Sequence, residues 1–536
     1  HVTGVQTCAL PISHLNLTDK IQILKPYSAL LKGNLMGIEK EGLRVSRKGG
    51  ISQAPHPSAF GCALTHPNIT TDFSESLIEL VTPPMHSADE MLSFLSKTQH
   101  YLYQHLPKDQ SFWPASMPCV IRGETYIPIA QYGSSNRGMM KTVYRHGLAN
   151  RYGSVMQTIA GIHFNYSFST EFWEQCRLLL APNETLRAFS DDGYMRLTRN
   201  VVRYGWLISY LFGASSAVCK SFLQGYHEHS LVEFNDSTLY KPYATSLRMG
   251  DIGYQNLAED EAGVKANYNS LSHYIHSLKA GMQTSCSKYE AIGLKHRGEY
   301  QQLNTNILQI ENEYYASVRP KPSVEEGKKP LDALNDSGID YIELRSIDIN
   351  PLSPLGIDKD QIYFLEAFML FCLLEFSPAI SSREQFEIDN NDRLVAHEGR
   401  KPGLKLMHQG QSTLLKKCGE DLCKKIESCA QLLSKEHCNA VNDIARRINN
   451  PDLTPSAIAL GQMKDRSQGF FDYINSFAKQ YRRDFLSHEV DQQHFNYLDK
   501  QAQFSCEKQA EIERSDNVSF DQFLVDYFKR SPCDES

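Results

Sequence analysis

Alternation of polar and apolar residues predicts three β-strands that each carry a polar face. Side chains two positions apart point to the same side of a strand, so a polar residue at every second position builds such a face. The three segments are 37–45, 159–167 and 341–350. Their polar pairs are Glu39 with Glu41, His163 with Asn165, and Glu343 with Arg345. The third segment is the clearest strand, because Ile342 and Leu344 fill its other face and Pro351 ends it.

A fourth acidic segment spans residues 69–84. Its threonines and apolar residues favour a strand, which a Pro-Pro pair ends. On one continuous strand Glu75 and Glu79 share a face, with Asp72 near its start. On a helix Glu75 and Glu79 would also align, four residues apart. Both interpretations therefore gather carboxylates in this segment.

Helical patterns occupy most of the remaining chain. Apolar residues three and four positions apart predict short helices in 14–35 and longer ones over 91–105 and 194–223. The apolar stretch 204–219 is shorter than the ~20 residues that span a bilayer, so we expect a buried core helix there. From residue 361 onward the pattern is mostly that of charged amphipathic helices.

The stretch 130–153 mixes glycines with cations. This composition lets backbone N–H groups and positive charges approach an anion closely, which predicts a phosphate or carboxylate cradle. A basic surface loop is the alternative. The glycines are Gly133, Gly138, Gly147 and Gly153, and the cations are Arg137, Lys141, Arg145 and Arg151.

Composition narrows the class of protein. The 536 residues carry a formal net charge of -7 without a long basic run, which argues against a nucleic-acid binder and favours small-molecule partners. Thirteen cysteines occur without a Cys-x-x-Cys pair, so we expect reduced thiols in a cytosol rather than a zinc site. Residues 1–13 lack both an initiator Met and a signal-peptide pattern, and we interpret them as extraneous to the fold.

The polar strand faces together supply the ligand types that divalent cations bind. Oxygen-rich clusters suit Mg²⁺ or Mn²⁺, with substrate phosphates completing the shell. The chain contains no Walker A sequence, so this set fits ATP chemistry without a P-loop. The alternative to a metal site is that the charged residues of each strand form ordinary cross-strand ion pairs. The candidate set comprises Glu39, Glu41, Asp72, Glu75, Glu79, His163, Asn165 and Glu343, with Arg137, Arg145, Arg248 and Arg345 as cations.

Seven blocks of the chain, in order, carry a resemblance to a known family. They read GIEKEGLRV, ITTDFSESLIELVTPP, AQYGSSNRGMMKTVYRHGLANRYGSVMQTIAGIHFNYS, RYGWLISYLFGASSAVCKSFLQG, PYATSLRMGDIGYQN, LQIENEYYASVRPK and YIELRSIDINPLSPLGI. These blocks closely resemble the proteobacterial type of glutamate–cysteine ligase, the ATP-dependent first enzyme of glutathione synthesis. The resemblance covers about residues 20 to 530 and is strongest before residue 360. The family usually has Arg where Lys40 stands and Thr where Gly42 stands.

The resemblance implies a fold and a division of the chain. The expected fold class is α+β, a curved and mainly antiparallel sheet of the glutamine-synthetase-like type wrapped by helices. After the extraneous segment 1–13, we expect a catalytic ATP-dependent ligase core over 14–360. A mostly helical C-terminal region over 361–536 would pack on this core.

The resemblance also implies roles for individual residues. Metal-binding positions would be Glu39, Asp72, Glu79, His163, Asn165 and Glu343. Arg248 would contact a substrate carboxylate, and the amino-acid pocket would be lined by Tyr144, Gln157, Tyr254, Phe73 and Leu148. The expected catalytic residues are Arg345, which would stabilise the phosphoryl group in transfer, Arg145 and Glu41.

The activity implied by the family joins the γ-carboxylate of L-glutamate to the amino group of L-cysteine through an acyl phosphate. It uses ATP with Mg²⁺, or Mn²⁺ in its place, and glutathione is a candidate feedback inhibitor. We expect a cytoplasmic monomer that binds neither nucleic acid nor membranes.

Three alternatives share parts of this pattern. A relative with the same fold could join glutamate to another amine, or stop at phosphoryl transfer as a guanidino kinase does. A bifunctional enzyme that also adds glycine would need a second ATP-binding domain, and the helical region after residue 360 has no Gly-rich loop for one. A non-catalytic relative would have lost its metal carboxylates, and all of them are present here.

Overall fold

The computed structural model describes residues 15–46, 48–223, 229–253, 264–324 and 327–529. The segment 1–13, expected to be extraneous, and Tyr254 lie outside these ranges.

A single antiparallel sheet of seven strands organises the first two thirds of the chain. The strands in chain order are β1 Leu35–Ser46, β2 Ile69–Thr71, β3 Leu77–Val81, β4 Gln110–Phe112, β5 Ile162–Ser167, β6 Ala217–Cys219, β7 Val232–Asn235, β8 Thr238–Tyr240, β9 Lys295–His296, β10 Glu299–Tyr300, β11 Val318–Lys321, β12 Tyr341–Ile347, β13 Lys405–His408 and β14 Gln411–Leu414. In the large sheet the strands follow the order β11-β12-β5-β1-β3-β2, and β4 pairs with the second half of β1. Within the described residues, the strands outside the large sheet form one three-stranded and two two-stranded sheets.

Helices surround the large sheet and make up most of the chain after β12. They are α1 Leu17–Leu24, α2 Ala88–His105, α3 Asn136–Tyr152, α4 Thr170–Leu180, α5 Leu186–Tyr204, α6 Trp206–Phe212, α7 Leu271–Gln283, α8 Ser287–Ile292, α9 Pro330–Ser337, α10 Lys359–Leu374, α11 Ser382–Glu398, α12 Leu415–Ala430, α13 Lys435–Asn449, α14 Pro455–Asp465, α15 Phe470–Ser487, α16 Gln492–Ser515 and α17 Phe520–Lys529. The predicted α+β fold class with a helical C-terminal region is confirmed.

The two faces of the sheet have opposite characters because side chains alternate along each strand. Helices α2, α5 and α6 pack on the apolar face. Ile38, Phe164 and Leu344 point to that face and are fully buried. The polar side chains of the same strands therefore lie on the other face, which α3 covers in part.

The polar alternation predicted three strands of this sheet. The structure confirms strands at the positions of β1, β5 and β12, and they are neighbours in the sheet. The acidic segment 69–84 forms two strands, β2 and β3, joined by a turn. The single continuous strand expected there is wrong, and Glu75 lies in the turn.

The Gly-rich stretch is mostly helical, and its role as an anion cradle stays a prediction. Residues 136–152 form the helix α3, whose first turn is capped by Ser135 Oγ accepting from Gly138 N at 3.1 Å. Gly147 lies on the buried side of this helix, where a Cβ would overlap Oε1 of Gln309. The glycine therefore permits close packing of the helix and does not open the backbone to an anion.

Two further expectations are corrected in part. The segment 194–223 does not form one helix, because α5 ends at Tyr204 and α6 ends at Phe212, after which the chain enters β6. The stretch 204–219 is buried as expected, but its last residues are a strand. No helix in the described ranges is long and apolar enough to cross a membrane.

Helices after residue 360 pack against earlier elements. Helix α10 contacts α5, and α16 contacts α2. Phe495 of α16 stacks edge-on against Tyr101 of α2, with ring centroids 5.1 Å apart. The boundary at residue 360 between a core and a C-terminal region stays a prediction.

Candidate functional site

Strand register places acidic and polar residues in one continuous row across the sheet. In the antiparallel pairs, Glu39 lies opposite His163, and Glu41 lies opposite Glu79. Asn165 of β5 lies opposite Glu343 of β12. Because paired residues point to the same face, four neighbouring strands present their polar side chains to one place.

His163 lies at the centre of this row. Its Nδ1 is 2.9 Å from Glu39 Oε2 and 3.4 Å from Glu343 Oε1. Its Nε2 is 3.6 Å from Glu41 Oε1. Glu39 is held from its other oxygen as well, because Asn165 Nδ2 donates to its Oε1 at 2.8 Å. The imidazole therefore joins three carboxylates from two strands.

Two cations balance Glu343. Arg345 Nη1 is 2.7 Å from its Oε1, and Lys321 Nζ is 3.2 Å from its Oε2. Burial alone would raise the pKa of Glu343, but Lys321, Arg345 and His163 outweigh it and hold the pKa well below its ordinary value. The pKa of Arg345 is raised in turn, because Glu343 and Glu41 outweigh its burial. Both groups are therefore charged at neutral pH.

Glu79 and Glu41 have less compensation. Burial raises the pKa of Glu79 well above its ordinary value, and repulsion by Glu39, Asp72, Glu41 and Glu343 raises it further. The pKa of Glu41 is raised mainly by burial, although its Oε2 accepts a hydrogen bond from Gly161 N at 2.6 Å. A positive charge close to either carboxylate would lower its pKa again.

The donor set fits a divalent cation. Glu39, His163 and Glu343 each offer a ligand atom within 4.8 Å of the others. Asn165 Oδ1 is buried and has no hydrogen-bond partner among the described residues. Close carboxylates with an unpaired amide oxygen are the hard oxygen ligands that Mg²⁺ and Mn²⁺ prefer. The repulsion that raises the pKa of Glu79 also favours a bound cation, because a positive charge would offset it.

The row forms the floor of a cavity of about 350 Å³. Helix α3 contributes Tyr144, Arg145 and Leu148 to its wall. Arg145 lies with its guanidinium 4.5 Å from the ring centre of Tyr132 and donates to the carbonyl oxygen of Asp72. The remaining lining residues singled out from the sequence are Glu39, Glu41, Asp72, Phe73, Glu79, Lys141, Gln157, His163, Glu343 and Arg345.

Arg248 is buried beside this cavity. Its Nη2 donates to the carbonyl oxygen of Arg345 at 2.7 Å, and its Nη1 is 3.8 Å from Asp348 Oδ1. Its Nε is buried without a hydrogen-bond partner among the described residues. Arg248 therefore keeps one donor unused next to the polar row.

Three other candidates lie elsewhere. The carboxylate of Glu75 accepts from the backbone N–H groups of His56 and Gln131, each at 2.9 Å, so it fixes loops. Arg151, near the end of α3, is buried against Glu313, with Nη1 2.8 Å from Oε1. Arg137 lines an adjoining cavity of about 620 Å³. The role expected of Tyr254 falls outside the described residues.

Sequence reasoning missed Arg319 and Lys321, which both line the cavity. They lie on β11, where Arg319 pairs in register with Glu343. The prolines at 320 and 322 suggest a loop, yet an edge strand tolerates proline. The sequence did contain a signal, because Arg319 and Lys321 are two cations at alternate positions, which a strand places on one face.

Comparison with known proteins places the chain among enzymes. The family model described as glutamate-cysteine ligase matches residues 21–395. A glutamate–cysteine ligase of Alcanivorax borkumensis is 43% identical over 511 residues, covering 94% of this chain and 97% of the relative. One from Pseudomonas putida is also 43% identical, over 95% of this chain and 98% of the relative.

Solved structures agree with this placement. The chain superposes on the glutamate–cysteine ligase of Francisella tularensis in complex with AMP with a TM-score of 0.87 and 33% identity, over 92% of this chain and 97% of the other. A bifunctional glutathione synthetase from Pasteurella multocida, 23% identical, shares the fold with a TM-score of 0.69 over 91% of this chain and 57% of the other. The expected glutamine-synthetase-like type of sheet is thereby confirmed. The chain belongs to the glutamate–cysteine ligase family, whose members are ligases of glutathione biosynthesis.

Proposed function

We propose that this cavity joins the γ-carboxylate of L-glutamate to the amino group of L-cysteine at the expense of ATP, through a γ-glutamyl phosphate. The observation that carries the proposal is the buried row of carboxylates with Arg345 at one end, within a cavity of about 350 Å³. A carboxylate is a poor acylating agent, so its activation needs a phosphoryl group and a site that tolerates concentrated negative charge.

ATP is the phosphoryl donor that we assign to this site. The AMP complex of the Francisella relative supports a nucleotide site in this fold. The glutamate γ-carboxylate attacks the γ-phosphorus of ATP, and ADP leaves. The amino group of cysteine then attacks the acyl carbon of the γ-glutamyl phosphate, and phosphate leaves. Each step needs charge compensation at oxygen and in-line positioning more than covalent help from the protein.

Cationic side chains of the chain supply part of that compensation. Arg345 keeps its charge through its pairing with Glu343, so we assign it to the phosphoryl group in transfer. Arg145 is oriented by Tyr132 and by the Asp72 carbonyl, and we place it at the same group from the α3 side. Glu41 interacts electrostatically with Arg345, and we assign it to proton exchange with the cysteine amine because its pKa is raised.

A divalent cation would be held by the residues of the row. We assign Glu39, His163, Asn165 and Glu343 to one position and Asp72 and Glu79 to an adjacent one. When bound, Mg²⁺ or Mn²⁺ supplies Lewis-acid stabilisation of phosphate oxygens. The fold holds these carboxylates close together before a cation binds, although they repel one another.

We assign the two amino-acid substrates to different parts of the cavity wall. Phe73, Tyr144, Leu148 and Gln157 combine apolar surface with a few polar atoms, which suits the small side chain of cysteine. The unused Nε of Arg248 suits one oxygen of the glutamate α-carboxylate, because a hydrogen bond from a guanidinium to a carboxylate is charge-assisted. We further propose that residues 14–360 form the catalytic unit and that the later helices support it.

A test separates ligase from kinase activity. ADP release would be measured with ATP, Mg²⁺ and glutamate, with and without cysteine, for the wild type and Glu343→Gln. We expect cysteine-dependent release in the wild type and a loss of at least 10²-fold in the variant, roughly the size of a lost electrostatic group in an active site. γ-Glutamylcysteine would be identified by mass spectrometry.

Glu75→Gln is the matched control, because Glu75 was singled out by the same sequence pattern but lies outside the cavity. It should keep its Mg²⁺ dependence. ADP release indifferent to cysteine would instead support a phosphoryl-transfer enzyme, and release with another amine would change the assigned acceptor. Full activity of Glu343→Gln would contradict the proposed site.

A further inference from the structure

Two cysteines that are 444 residues apart in the chain meet near the surface. Cys62 Sγ and Cys506 Sγ are 2.8 Å apart. A disulfide bond is about 2.05 Å long, so a small movement of either side chain would bring the sulfurs to bonding distance. Cys62 lies in the loop that leads into β2, and Cys506 lies on α16.

The backbone around the pair is already fixed at this separation. Cys62 N donates to Ser505 Oγ at 2.9 Å, and Thr65 Oγ1 donates to Ser505 O at 2.5 Å. Gly61 adopts a φ of 68°, and a Cβ there would lie 2.6 Å from Ala502 O. Loop and helix are thus held together on both sides of the two sulfurs.

The two thiols differ in reactivity. Burial, followed by the hydrogen bond to Cys506, raises the pKa of Cys62 to about 12. Cys506 is exposed to solvent. Because the thiolate is the nucleophile and access controls the first encounter, a reagent from solution meets Cys506 first.

We propose that Cys62 and Cys506 form a reversible disulfide by exchange with a low-molecular-weight disulfide such as cystine. The Cys506 thiolate attacks one sulfur of the reagent, forming a mixed disulfide and releasing one thiol. Cys62 loses its proton to solvent as it attacks Cys506 Sγ, and the second thiol leaves. Two protein thiols are oxidised, and one small disulfide is reduced to two thiols.

The bond would fasten α16 to the loop that precedes Asp72. Residues just beyond Cys506 also hold the start of α3, because Glu513 accepts from Ser134 N at 2.9 Å and Asp516 accepts from Asn136 N. A crosslink that closes a loop of 444 residues restricts the unfolded chain strongly. The oxidised form should therefore resist unfolding more than the reduced form.

The test uses the purified full-length chain, incubated with cystine, blocked with an alkylating reagent and digested for peptide mass mapping. We expect a linked pair of peptides containing Cys62 and Cys506, which dithiothreitol separates. The melting temperature of the oxidised protein should be higher by roughly a few degrees. The crosslinking rate should rise between pH 7 and pH 9, as Cys62 loses its proton more readily.

Two variants test whether Cys62 and Cys506 are the cysteines that crosslink. In Cys62→Ser the exchange should stop at the mixed disulfide on Cys506, and the gain in melting temperature should vanish. Cys438→Ser, which changes another partly exposed thiol, should crosslink like the wild type. Recovery of Cys62 and Cys506 as separately alkylated peptides would overturn the proposal, as would a crosslink that leaves the melting temperature unchanged.

Discussion

Lys40 lies between Glu39 and Glu41 in sequence but points to the opposite face of the sheet. Its Nζ donates to Gln99 Oε1 at 2.6 Å, and the side chain is almost fully buried. This burial lowers the pKa of Lys40 from 10.5 to about 7. One amide oxygen and a distant carbonyl replace water poorly, so the charged form is disfavoured.

This lysine makes stability depend on pH. Between pH 7 and 10 the unfolded chain binds a proton at Lys40 that the folded chain has released, so the free energy of unfolding rises with pH. The slope from this group approaches about 1.4 kcal/mol per pH unit. Below pH 7 both states are protonated, and the contribution is constant at its least favourable value.

We predict that Lys40→Met flattens this dependence. Urea titrations at pH 7.5 and pH 9 should show a larger gain in unfolding free energy with pH for the wild type than for the variant. Lys479→Met, at an exposed position of α15, is the control and should keep the wild-type slope. Equal slopes for Lys40→Met and the wild type would contradict the assignment.

Helix α3 shows why an element can depend on a single glycine. Gly147 lies on the face next to Gln309, while Tyr144, Arg145 and Leu148 of the same helix face the cavity. We predict that Gly147→Ala costs about 1–3 kcal/mol through overpacking. Gly461→Ala, in α14, has no atom near its new Cβ and should gain about 0.5–1 kcal/mol from helix propensity. Thermal unfolding of both variants would show the opposite signs, and equal signs would refute the packing argument.

For single elements, the sequence predicted the strands of the site better than the helix α3 that faces them. Alternation of Glu39 with Glu41, and of Glu343 with Arg345, depends only on local geometry and was found directly. Gly147 was not recognised as a helix residue, because the contact that requires it is with residue 309, far along the chain. Lys321 was missed for a similar reason, because its partner Glu343 lies on the neighbouring strand β12.

The buried pair of Arg151 with Glu313 joins parts of the molecule that are 162 residues apart. Both side chains are inaccessible to solvent. We predict that Glu313→Gln costs about 3–5 kcal/mol, because it leaves a buried guanidinium without its counter-charge. The urea midpoint should fall accordingly. Glu174→Gln, which changes a surface pair with Arg177, should leave the midpoint unchanged, and equal effects of the two would contradict this prediction.

The row of carboxylates also affects how the whole chain reaches its fold. Strand β1 pairs with β5, whose His163 lies 124 residues after Glu39, and the row is complete only with β12. At about 5–20 residues per second, a ribosome needs on the order of 15–60 s to extend the chain from β1 to β12. Until β12 is made, β5 is the exposed edge of the partial sheet, and the carboxylates of β1 and β3 beside it give that sheet a negative charge that discourages association with another nascent copy. We therefore expect the acidic residues of the site to reduce aggregation of the growing chain as well.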